Sequence, residues 1–147
     1  MRLHLRTMLQ QMLMGAALVG ATVVIQAGFM LFGLRALESL RTEERRFAHH
    51  HATLIIVLFV LYMFLAIIAD VWLWAIVFLF LGALPSLEAA LYFSTTSFTT
   101  LGYGDVVLTP EWRLLASFEG ANGLIIFGWT TALVIAAIQR FYSWHAD

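Results

Sequence analysis

Thr99-Thr100-Leu101-Gly102-Tyr103-Gly104-Asp105 stands between two long apolar stretches, and its reading decides how the rest of the chain must fold. Glycine enters left-handed backbone conformations at no steric cost, and Gly102 and Gly104 occupy alternate positions. A strand that visits such conformations at alternate residues can turn successive carbonyl oxygens toward one axis. Several such loops in a ring would offer stacked oxygens able to replace the water shell of a cation. Thr100 adds a hydroxyl oxygen at one mouth, while Tyr103 points outward and can brace the loop against surrounding protein.

Immediately upstream, Leu87 to Phe98 reads as a short helix, Leu-Glu-Ala-Ala-Leu-Tyr-Phe-Ser-Thr-Thr-Ser-Phe. Ser86 is placed to cap it, and Pro85 and Glu88 suit its beginning, Glu88 by opposing the positive end of the helix dipole. The hydroxyl cluster Ser94, Thr95, Thr96 and Ser97 cannot face lipid without partners, so it is expected to pack behind the glycine-bearing loop.

Helix, loop and flanking apolar segments together resemble the potassium channel superfamily, whose signature is Thr-Val-Gly-Tyr-Gly-Asp; Leu101 replaces the usual valine with another aliphatic residue. The resemblance runs from about Ala52 to Gln139. It implies a small prokaryotic channel with a single pore loop, potassium ions coordinated by Thr100, Leu101, Gly102, Tyr103 and Gly104, and assembly as a homotetramer. The 87–98 helix becomes the pore helix, its carboxyl end aimed at a central cavity. No cofactor is implied beyond potassium as the permeant ion. A weakly selective cation channel and a pore-loop subunit of a potassium transporter are the alternatives. Two filter glycines and one loop in the chain disfavour the transporter.

Composition agrees with a membrane setting. Of 147 residues, 62% are hydrophobic and 12% charged, against roughly 25% charged in a typical soluble domain. The net charge of −1 offers no basic surface for nucleic acid, and the absence of cysteine excludes disulfides and thiolate metal sites. No nucleophile–base arrangement or phosphate loop is visible, so no enzyme is expected.

A membrane span needs about 20 apolar residues, and three segments qualify: Met8 to Leu34, Ala52 onward to Val77–Leu81, and Arg113 to Gln139. The first is too long for a signal-peptide core and is read as a retained helix. The expected fold is therefore an all-α membrane protein: outer helix, re-entrant pore helix with filter, inner helix, and one extra N-terminal transmembrane helix. Residues 1–51 hold that extra helix and an arginine-rich loop, and residues 52–147 the pore domain. With the filter near the outer face, the N-terminus lies outside and the C-terminus in the cytoplasm of a multi-pass plasma (inner) membrane protein. Arg35, Arg41, Arg45 and Arg46 would then face the cytoplasm, against Arg2 and Arg6 outside, a modest agreement with the positive-inside rule. Four spans, with Val71 to Leu84 crossing separately, remain the alternative.

Within the third span, the resemblance implies a gating hinge at Gly123, with Gly128 second; close helix approach is the plainer use of such residues. Leu124, Phe127, Thr131, Ile135 and Gln139 share one helical stripe and are expected to line the cavity. Asp70 and Glu119 are ionisable groups at membrane depth, which marks them for function. They are expected to support the filter from behind, or else to sit at the interface beside Trp72, Trp74 and Trp112. Asp105 and Glu111 would make the outer mouth acidic and concentrate cations there. His49, His50 and His51 read as a solvated helix start more readily than as a proton sensor. The first span lacks the spaced arginines of a voltage sensor, and the short stretch after Gln139 leaves no room for a ligand-binding domain.

Overall fold

The computed structural model describes residues 2–41 and 49–143, with side chains described for 8–39 and 53–139. The side chains of Arg2, Arg6, Arg41, Arg45, Arg46 and the His49–His51 triplet lie outside these described residues. Four helices follow in order: α1 (Arg2–Arg41), α2 (His49–Phe80), α3 (Leu87–Phe98) and α4 (Arg113–Ser143). Three contain stretches long and apolar enough to cross a membrane, Met8–Ser39, Thr53–Phe80 and Arg113–Gln139. Val71 to Phe80 continues α2 without a break, so the span is single and the alternative of a fourth crossing falls away.

The helix directions follow from which residues meet. Leu18 of α1 joins Ile67 and Val71 of α2 in one apolar cluster, and Leu37 joins Phe59 and Met63 in another, so α1 and α2 run antiparallel. Phe78 shares the first cluster with Leu115, and Met63 the second with Ala137, so α2 and α4 also run antiparallel. The chain thus descends, ascends, folds halfway back through α3, and descends again. The start of α1, the carboxyl end of α2 and the loop after α3 gather at one end of the molecule.

The turn between α2 and α3 begins where Gly82 takes a φ of 64°, which releases the chain from the helix. Ser86 Oγ then accepts the Ala89 amide (3.2 Å), the expected cap. Against α2, α3 buries Ala90, Phe93, Ser94, Thr96 and Phe98. Phe93 meets Phe78 edge to face, ring centres 5.4 Å apart, and Phe78 in turn packs on Trp74. Trp74 is fully buried, Trp72 exposed and Trp112 half-buried.

Candidate functional site

Three residues from Thr100 to Gly104 have positive φ: Thr100 (62°), Gly102 (51°) and Gly104 (79°). Leu101 and Tyr103 do not, so the backbone alternates in hand at every residue. Such alternation lets consecutive carbonyls line one side of a strand. The spacing of the glycines foreshadows two of these positions, but Thr100 is a β-branched residue in left-handed geometry, an uncommon state costing on the order of 1–3 kcal/mol.

Hydrogen bonds to the end of α3 hold that strain. The Thr99 amide donates to the Thr95 carbonyl (3.1 Å), Thr100 to Ser97 (3.0 Å) and Gly102 to Thr96 (3.1 Å). The last carbonyls of a helix have no partners within it, and here the loop supplies their donors. Thr96 thus meets the loop through its main chain, while its hydroxyl donates to the Phe93 carbonyl. Of the hydroxyl cluster, Ser94 and Thr96 are buried, Ser97 is half-buried, and Thr95 is exposed, donating to the Leu91 carbonyl.

On the far side of the loop, the Tyr92 hydroxyl donates to Asp105 Oδ2 at 2.6 Å. This bond holds the Asp105 carboxyl below its ordinary 3.8. The same bond, reinforced by the negative charge, raises the Tyr92 phenol above 10.0. Tyr92 escapes a reading focused on hydroxyl clusters and glycines, because its pairing spans a helix and a strained loop. Asp105 and Glu111 are both exposed beyond the loop.

Asp70 and Glu119 are completely buried. Glu119 faces the Ser94 hydroxyl on α3 without closing a hydrogen bond of good geometry, and neither Asp70 oxygen has a partner. Both carboxyls are thus enclosed by the protein, Glu119 against Ser94 of α3.

The α4 glycines divide by environment. A Cβ at Gly123 would overlap the Phe98 carbonyl at the end of α3, so only glycine admits this close approach. Gly128 has open space around it. Leu124, Thr131, Ile135 and Gln139 share its exposed face, whereas Phe127 is half-buried and packs on Phe98. Thr131 returns its hydroxyl to the Phe127 carbonyl (2.8 Å). Among the described residues, no group of three or more His, Cys, Asp and Glu side chains could hold a metal ion.

Another polar constellation joins α1 to α4. The Leu114 amide donates to Gln11 Oε1 (3.2 Å), Asn122 Nδ2 to the Thr22 hydroxyl (2.8 Å), and Gln26 Nε2 to the Thr130 hydroxyl (2.8 Å). The rising numbers on both helices make α1 and α4 parallel. Gln11, Thr22 and Gln26 lie near one helical face, and that pattern of polar residues within an apolar span was the available signal in sequence.

No curated protein and no solved structure matches the chain. Residues 52–140, from the start of the second span to the end of the third, match the family described as Ion channel. That stretch holds α3, the alternating loop and the helices on either side, so the chain belongs to this ion channel family, within the potassium channel superfamily its loop resembles.

Proposed function

We propose that the chain is one quarter of a homotetrameric potassium-selective channel of the plasma membrane, with residues 52–147 as its pore domain. The carrying observation is the alternation of backbone hand from Thr100 to Gly104. Stacked carbonyls, with the Thr100 hydroxyl below them, make cages for a dehydrated potassium ion, and several such cages let ions displace one another. One loop supplies a quarter of each cage. Exposure of Leu101 (58%) and Tyr103 (68%) at the most constrained part of the molecule supports neighbouring copies that cover them.

In this reading the filter end faces outward, which places the N-terminus outside and the C-terminus in the cytoplasm. Leu124, Phe127, Thr131, Ile135 and Gln139 border the cavity below the filter, and Gly128, free of packing duties, is the better hinge than Gly123. Asp70 and Glu119 stiffen the back of α3. Buried carboxylates without full partners are costly, so their retention supports a task there. Neutralising them as Asp70→Asn and Glu119→Gln should change selectivity or inactivation while assembly persists; unchanged currents in both would remove the assignment.

The deciding test is the reversal potential of the purified protein in liposomes, with potassium opposed to sodium. A shift toward the potassium equilibrium potential is expected. Equal permeation of the two ions would overturn selectivity, whatever the assembly.

A further inference from the structure

Helix α1 lies outside the family match, yet it is bonded to the helix that would carry the gate. We propose that α1 is a fixed splint along α4, and that Gln26 and Thr130 are positioning residues that set the gate's equilibrium. The proposal rests on the reading that α4 lines the conduction path and bends at Gly128.

The joints between the two helices are unevenly placed around that glycine. Gln11 Oε1 accepts from the α4 amide of Leu114, and the Thr22 hydroxyl accepts from Asn122 Nδ2 at 2.8 Å, its one proton shared between the Val19 carbonyl (2.8 Å) and Asn122 Oδ1 (3.0 Å). Gly15 seats the Phe118 ring so closely that a Cβ there would reach 2.6 Å from it. These contacts all precede Gly128 and anchor the upper part of α4. Among the described residues, Gln26–Thr130 is the side-chain hydrogen bond between the two helices that lies beyond Gly128, two residues past it. Further along, the Tyr62 hydroxyl donates to the Phe29 carbonyl (3.1 Å), and Gly33 admits Tyr62 and Phe59, so α1 is tied to α2 below the joint.

With α1 held above and below, a bend of α4 at Gly128 must strain Gln26–Thr130 together with the apolar seam below it, where Leu37 of α1 shares a cluster with Ala137 of α4. This joint is also incompletely satisfied, because Gln26 Oε1 is buried with no partner. A buried polar atom left unpaired costs free energy, which brings the joint nearer to release. An incompletely satisfied joint therefore stands where α4 must move.

The test uses the full chain in liposomes and reads single-channel open–closed ratio, reversal potential, and hydrogen exchange along α4. Gln26→Leu and Thr130→Val should each shift the open–closed ratio about fivefold, the equivalent of one hydrogen bond's net contribution. The double variant should go no further than either single, and the exchanged pair Gln26→Thr with Thr130→Gln should recover part of the shift. Amide exchange should quicken beyond Gly128 and not before it, with the reversal potential unchanged. Val24→Ala, two residues from Gln26 on the exposed face of α1, should leave the ratio alone. Additive effects of the two substitutions, an equal effect from Val24→Ala, or exchange that quickens evenly along α4 would overturn the splint. Absence of flux from every protein, with the exchange pattern as expected, would fall on the channel reading alone.

Discussion

The loop from Thr100 to Gly104 and the seam between α1 and α4 are both built from polar groups inside an apolar chain, yet they differ in how far one chain encloses them. Thr22, Gln26, Asn122 and Thr130 are buried and bonded across two helices of the same molecule. The loop has strained backbone, caps the end of α3 with its amides, and leaves Leu101, Tyr103 and Val107 largely uncovered. Strain of that kind persists where surroundings over-determine it, and α3 supplies only one side of those surroundings. On the proposed assembly, the difference separates a seam formed within each chain from a loop that neighbouring copies complete.

The largest way to break the contrast is Gly102→Ala. No atom lies within 4 Å of the position a Cβ would take, so crowding within the chain costs nothing. The residue nonetheless sits at φ 51°, where an L side chain costs roughly 1–2 kcal/mol, repeated in every copy around the proposed ring. Potassium flux from liposomes should vanish while the helices keep their circular dichroism. Retained flux would mean that the alternation of hand does not set the conducting geometry.

The α4 glycines give the next test, because one serves packing and the other does not. Gly123→Ala gains about 0.5–1 kcal/mol of helix preference but forces a methyl into the Phe98 carbonyl, and such overpacking costs roughly 1–3 kcal/mol. A lower melting temperature is expected, with α3 displaced. Gly128→Ala meets no neighbour and should raise the melting temperature slightly while slowing gating. Equal thermal stability of Gly123→Ala and the parent would deny that this glycine seats α3.

Much of the architecture is legible in sequence because it rests on local rules. The spans follow from apolar run length, α3 from the Ser86 cap and the break at Gly82 and Pro85, and two of the left-handed positions from Gly102 and Gly104. Thr100 is missed because its conformation is imposed by α3, not by its own preference. Gly123 carries no local mark that separates packing from hinging; only the approach of Phe98 does. The spacing of Gln11, Thr22 and Gln26 marks a polar face on α1, but which helix it meets, like the pairing of Tyr92 with Asp105, depends on tertiary placement.

The brace at the loop's outer end has a pH signature. The Asp105 carboxyl is held below its ordinary 3.8, chiefly by the Tyr92 hydroxyl. A depressed carboxyl stabilises the fold fully above its unfolded value, and that contribution is lost as pH falls through the folded value. Conversely, the raised Tyr92 phenol contributes below 10.0 and loses its contribution as pH rises through its folded value. Tyr92→Phe should therefore melt below the parent by an equal margin from about pH 5 to pH 9, and the margin should shrink outside that window on both sides. A margin that does not change with pH would assign Tyr92 to packing alone.

Leu101→Val is the smallest expected change and sharpens the contrast from the other side. The position lies between left-handed Thr100 and Gly102 and has negative φ, a conformation open to any aliphatic residue. Its contribution to the proposed filter is a main-chain carbonyl, which the substitution leaves in place. The side chain is 58% exposed within one chain, so little of it is packed by its own molecule. Losing one methylene from a side chain wholly enclosed by neighbours would cost about 0.8 kcal/mol, and valine's stiffer χ1 returns part of that by fixing the strand. Reversal potential should match the parent, and thermal stability of the assembly should fall slightly or not at all. A lost preference for potassium would show that the leucine side chain shapes the cages, and that carbonyl geometry at this position is not set by backbone hand alone.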